Sequence, residues 1–189
     1  MSSTFTGPIR VNKRNNPSND GTIAPSNTGA ARISQQDFIA PITATTSGAV
    51  VLPTFKIGET TATPVVVPAG AIIEAVKFYE TVIPSALTGG VITVNLLVTN
   101  PTTGAVVTTA IGTITPTATN GGIITASLAT TAAATLLLSN VGPLDATIQF
   151  SQATISALTG SLGGVFTVEY TARNVDGSIT AYGSGYTNN

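Results

Sequence analysis

Val91-Ile92-Thr93-Val94-Asn95-Leu96-Leu97-Val98-Thr99, then Asn100-Pro101-Thr102-Thr103-Gly104, then Ala105 to Ile114, is the stretch on which the fold turns. Ile92, Val94, Leu96 and Val98 point one way along an extended chain, while Thr93, Asn95 and Thr99 point the other. Leu97 alone breaks the alternation. A period of two marks a half-buried strand, because successive side chains emerge on opposite faces. The Asn-Pro…Gly cluster punctuates a turn, and Ala105 to Ile114 reads as the returning partner of a hairpin.

The same grammar extends in both directions. Upstream, Val50 to Ile57 is interrupted by Pro53, which predicts an edge strand or two half strands. Pro64-Val65-Val66-Val67 runs into the turn Pro68-Ala69-Gly70, and Ala71 to Val82 follows as a long strand candidate with neither face cleanly polar. That pattern predicts a strand covered in part on both sides. Downstream, Asn120-Gly121-Gly122 signals a turn before Ile123 to Ala126, and Ala146 to Gln152 reads as a strand. In Val165 to Arg173 the residues Phe166, Val168, Tyr170 and Ala172 are expected to face inward. Ser127 to Leu138 is the sole helix candidate, with Ser127 as its cap.

Ser85-Ala86-Leu87-Thr88-Gly89-Gly90-Val91-Ile92 is echoed by Ser156-Ala157-Leu158-Thr159-Gly160, followed by Gly163-Gly164-Val165-Phe166. The two units read either as corresponding corners of a two-sheet sandwich or as coincidence in a Thr/Ala/Gly-rich chain. Many short strands, frequent turns and almost no helix predict an all-β fold, a β-sandwich or jelly-roll-like domain with an extended N-terminal arm. The division expected is an arm over residues 1–36, a β-sandwich over 37–175 and a C-terminal tail over 176–189.

The arm is read from composition. Asn15-Asn16-Pro17-Ser18-Asn19-Asp20-Gly21 and Pro25-Ser26-Asn27-Thr28-Gly29 are turn-forming residues without strand or helix periodicity. Residues 1–36 hold four basic residues against one acidic, a net of +3, and the remainder holds three against seven, a net of −4. Within that remainder the 64 residues from Thr81 to Leu144 carry no charge at all. A fully solvated stretch of that length normally carries charge for solubility. Its absence predicts that much of it is buried or faces another subunit.

Composition also bounds the chemistry. The 189 residues are 8% charged, about a third of the usual share, and 42% hydrophobic, with 34 Thr, no His, no Cys and no Trp. There is no imidazole base, thiol nucleophile or disulfide framework to build with, and the many hydroxyls have no histidine to activate them. Glu74 and Glu80, expected on one strand face, are about 20 Å apart by strand rise, beyond the 5–9.5 Å of paired glycosidase carboxylates. Asp176-Gly177 reads as a turn with too few neighbouring oxygens for calcium. Gly160, Gly163 and Gly164 lack the Lys and helix of a phosphate loop. No enzyme activity, cofactor or metal is expected.

The N-terminus lacks the basic-then-apolar order of a secretory signal, and no run approaches the roughly 20 apolar residues of a spanning helix. No membrane partner and synthesis in a cytoplasm are therefore expected. Arg10, Lys13 and Arg14 form the one basic cluster. Without an aromatic stacking platform they do not read as a nucleic-acid site. A basic arm beside an acidic body instead suits contact between subunits, and a homo-oligomer, a dimer or trimer, is expected.

Two segments carry a resemblance. Thr4-Phe5-Thr6-Gly7-Pro8-Ile9-Arg10 resembles the Phe-x-Gly-Pro-Val/Ile-Arg opening of many tailed-bacteriophage structural proteins. Val67-Pro68-Ala69-Gly70-Ala71-Ile72-Ile73, with Ala75-Val76 and Phe78-Tyr79, resembles the Pro-Ala-Gly turn and strand of phage virion β-domains. Val11-Asn12-Lys13 stands where Asn-Gly-Phe often follows that opening. The resemblance implies a capsid decoration, or cement, protein made in the host cytoplasm and bound to the capsid exterior of the virion. Its partner would be the major capsid protein, with Phe5, Pro8, Ile9 and Arg10 as anchors and Lys13 and Arg14 as electrostatic attachment. The alternative is a carbohydrate-binding or adhesin-type module of a head fibre or tail, in which Tyr79, Tyr170, Tyr182 and Tyr186 stack on sugars.

Overall fold

The computed structural model describes residues 31–172 apart from Ile57, Pro101, Thr119, Asn120 and Thr130, with side chains placed from Ile42 to Thr171. These residues form thirteen strands, all paired antiparallel, and one short helix. In chain order the elements are β1 (Ala31–Ile42), β2 (Val50–Leu52), β3 (Thr54–Phe55), β4 (Val65–Val67), β5 (Ile72–Val82), β6 (Ala86–Gly89) and β7 (Ile92–Thr99). They continue with β8 (Val106–Ile114), β9 (Gly122–Thr125), β10 (Ser127–Leu128), α1 (Ala132–Ser139), β11 (Ala146–Gln152), β12 (Ile155–Thr159) and β13 (Leu162–Ala172). One sheet has the order β3-β1-β13-β5-β9, and the other has β10-β8-β7-β11-β2, with β4 also on β11. A two-stranded ribbon joins β12 to β6.

Local chemistry explains where the chain changes sheet. Pro53 lacks an amide hydrogen and separates β2, in the six-stranded sheet, from β3, in the five-stranded one. The two half strands read in Val50 to Ile57 thus belong to opposite sheets. The chain returns to the six-stranded sheet by β4 and crosses again at the Pro-Ala-Gly turn, where the Ala71 amide donates to Pro68 O at 3.2 Å. Gly70 there has φ of +73°, which a type II turn requires at its third position. The side chain of Asp145 accepts from the Ala69 amide at 2.8 Å and holds the corner. The β7–β8 hairpin is closed by Asn100, whose Oδ1 accepts from the amides of Thr102 and Thr103.

Sheet faces packed against each other make the core. Ile92, Val94 and Leu96 of β7 and Ile148 and Phe150 of β11 meet Val76 and Phe78 of β5 and Phe166 and Val168 of β13. Phe150 and Phe166, from opposite sheets, stack with ring centroids 3.7 Å apart, and Phe78 lies 4.8 Å from Phe166 within its own sheet. α1 packs against β5 and β8, one strand from each sheet, and so closes a margin of the sandwich.

The echoed pentapeptides meet. Leu87 of β6 stands opposite Leu158 of β12, and Ala86 opposite Thr159. One copy leads into β7 of the six-stranded sheet and the other into β13 of the five-stranded sheet. They are corresponding corners of the sandwich.

Three expectations are corrected. The helix does not start at Ser127: Ser127 and Leu128 pair with β8, and Thr131 caps α1, its side chain accepting from the Ala134 amide at 3.1 Å. Ala129, with φ of +63°, turns the chain between the two. Glu74 and Glu80 do not share a face. A bulge skips Glu74 between the pairs Glu169↔Ala75 and Tyr170↔Ile73, so Glu74 is exposed while Glu80 is buried. A bulge adds one residue and shifts the alternation by one. Finally, β1 begins at Ala31, so the last six residues of the 1–36 segment already pair with β13.

Candidate interaction surface

The described strands divide charge by sheet. Arg32 and Asp37 lie in β1, Glu74, Lys77 and Glu80 in β5, and Glu169 in β13, all in the five-stranded sheet. The strands of the six-stranded sheet contain no Asp, Glu, Lys or Arg. The outer side of that sheet is therefore neutral from edge to edge.

Register shows what occupies it. With Ile92, Val94 and Leu96 turned to the core, Thr93, Asn95 and Leu97 point outward from β7. Opposite them on β11 stand Ser151, Gln149 and Thr147. Asn95 donates from Nδ2 to Ser151 Oγ at 2.9 Å, which ties the two strands together on this side. At the margin, Val51 of β2 pairs with Ser151, and Val66 of β4 pairs with Thr147. Both valines are exposed. β2 and β4 meet β11 on either side of Gln149, and a cleft of ≈ 130 Å³ opens between them, lined by Val51, Pro53, Pro64 and Gln149 among others. Side chains of this kind satisfy one another or bury apolar area, and charge is depleted from the cores of protein interfaces for the same reason.

The outer side of the five-stranded sheet differs in kind. Lys77 and Glu169 form an ion pair there, and Thr171 donates to Glu74. Thr167, opposite Lys77 on β13, is only 2% exposed although it points away from the core.

The remaining carboxylates among the described side chains serve as local acceptors. Glu59 accepts from Thr63 Oγ1 at 2.8 Å, and Glu80 Oε2 accepts from the Thr117 hydroxyl at 3.0 Å. Asp145 holds the Pro68–Gly70 corner. Among the described residues no three His, Cys, Asp or Glu side chains gather as a metal site.

The sequence-predicted site residues Phe5, Pro8, Ile9, Arg10, Lys13 and Arg14 lie outside the described residues, as do Tyr182 and Tyr186. Of the other tyrosines, Tyr79 is half-buried, and Tyr170 is 6% exposed and belongs to the core. Tyr170 is thus removed from the sugar-stacking set, because its inward position in the alternation turns the ring from solvent. Comparison of the chain with protein-family models, with curated proteins and with solved structures finds no match to any of them.

Sequence reasoning placed Thr93 and Asn95 on an outward face but missed Val51, Val66 and Gln149 as their neighbours. The available signal was the lack of charge in Val50 to Leu52, Val65 to Val67 and Ala146 to Gln152. It was hidden because these segments are distant in the chain.

Proposed function

We propose that the chain is a non-enzymatic structural protein of a virion, a capsid decoration protein that binds the outer capsid surface and bridges neighbouring major capsid subunits. The observation that carries this reading is the neutral outer face of the six-stranded sheet, backed by a sheet that holds every strand charge. An uncharged face of threonine, amide and valine side chains loses little on being covered by protein. The order of long strands, with the chain crossing repeatedly between two sheets, fits a jelly roll, an architecture used in viral capsids and lectins alike. The resemblance of Thr4 to Arg10 to phage virion openings supports the same reading. The basic arm supplies a second attachment, and many weak contacts on a lattice add to firm binding.

Co-sedimentation with purified phage heads from the same source tests it. The full chain is expected to pellet with heads at a saturable ratio. Deleting residues 1–30, which stops short of β1, is expected to leave a folded body with at least tenfold weaker binding. Val51→Lys together with Val66→Lys, both on marginal strands where lysine is tolerated, is expected to weaken binding similarly. Full-chain protein that stays in the supernatant, or equal occupancy by all three, would overturn the reading.

A further inference from the structure

We propose that α1 is the self-association element of this protein and packs against α1 of a second copy across a two-fold axis. The sequence of the helix, Ala-Ala-Ala-Thr-Leu-Leu-Leu-Ser, has no charged residue, and neither its first nor its last turn carries one. Its two polar side chains, Thr135 and Ser139, turn their hydroxyls back onto the carbonyls of Thr131 and Leu136. A helix this poor in outward polar groups belongs in an interior, yet only Ala134 is buried. Leu137 and Leu138 are half-buried against the core. Leu136 is 71% exposed, the highest value among the large apolar side chains described. Ala132 and Ala133, one turn before it, are exposed as well. Their small side chains let a second helix approach closely, with Leu136 as the projecting group.

The neighbouring surface extends the patch. α1 packs on β8, and β8 carries one more exposed valine on its core-facing side, Val107. Val107 lies opposite Val98, on the core-facing side of the hairpin, yet is 62% exposed. A stable pair of proteins covers about 800 Å² on each partner. One short helix offers less than that, so the contact includes this end of the hairpin.

Charge selects the occupant. In a two-fold interface the same patch meets itself, and a residue beside the axis meets its own copy, so a charge there would face a like charge. α1, β8 and the whole span from Thr81 to Leu144 have none. A neutral patch complements itself, and a net charge of −1 on the whole chain opposes association very little. The contact is separate from the neutral sheet face proposed for the capsid and does not depend on it.

The test is sedimentation equilibrium of the full chain over a range of concentrations. Wild type is expected to give a mass of two chains. Leu136→Glu is expected to weaken association by about 100-fold or more, because it buries unpaired carboxylates at the axis. Val107→Lys, exposed and equally able to fold, is expected to weaken it in the same direction. Val51→Lys, on the other surface, is expected to leave the mass unchanged. A wild type that stays monomeric, or Leu136→Glu and Val107→Lys variants that keep the wild-type mass, would overturn the proposal.

Discussion

Phe166→Ala is expected to lower the unfolding free energy by about 3–5 kcal/mol, the range for a large aromatic deleted from a packed core. The position concentrates what holds the sheets together. Phe166 lies on β13, the central strand of the five-stranded sheet, and is fully buried. Its ring stacks on Phe150 of the opposite sheet and touches Phe78 beside it. Removing it leaves a cavity between two β-sheets whose backbones are fixed by their ladders, so collapse around the gap is limited. Urea unfolding followed by circular dichroism would measure the change. In a thermal scan it corresponds to roughly 6–20 °C for a chain of this size. A loss below about 1 kcal/mol would mean that the three rings are not the joint between the sheets.

Gly164→Ala is expected to cost about 3 kcal/mol through crowding, not through a cavity. A Cβ at Gly164 would stand 2.2 Å from the carbonyl oxygen of Tyr79 and under 3 Å from the ring of Phe78. The first of these is backbone of the adjoining strand, so β5 and β13 must separate to admit a methyl group. A glycine in the other unit meets backbone too. At Gly89 the added Cβ would lie 2.3 Å from Thr154 O, and φ is +81°. Gly122→Ala, where an added Cβ meets nothing within 4 Å, is the control expected to change little. Equal stability of the Gly164→Ala and Gly122→Ala proteins in the same urea titration would refute the steric account.

These glycines give the sequence echo its physical content. Gly89, which ends the first Ser-Ala-Leu-Thr-Gly unit, and Gly164, four residues beyond the end of the second, each stand where a backbone oxygen comes too close for a side chain. The repetition of letters was visible in the chain. That the two units pair with one another, Leu87 opposite Leu158, was not, because a strand's partner is set by long-range register. The bulge at Glu74 was equally hidden. It leaves the local composition of Ala71 to Val82 unchanged while sending Glu74 and Glu80 to opposite faces, one exposed and one buried.

The helix shows the limit from another side. Ala132 to Leu138 favours helix by its residues alone, and a helix is found there. Its start was misread because Ser127 and Thr131 are both competent caps, and only pairing of Ser127 with Thr113 of β8 decides between them. Exposure of Leu136 likewise follows from how α1 sits on β5 and β8, which no periodicity in eight nearly uniform residues encodes.

What the chain determined unaided was its all-β character, the β7–β8 hairpin, the turns at Pro68–Gly70 and Asn100–Gly104, the strand at Ala146 to Gln152, and the inward residues Ile92, Val94 and Leu96 of β7 and Phe166, Val168 and Tyr170 of β13. These depend on alternation and turn chemistry, which act between near neighbours. Tertiary structure alone decided which sheet each strand joined, and therefore that the neutral strands assemble into one face while the charged ones assemble into the other. That choice rests on hydrogen-bond ladders and side-chain stacking between segments far apart in sequence, where local pattern exerts no force.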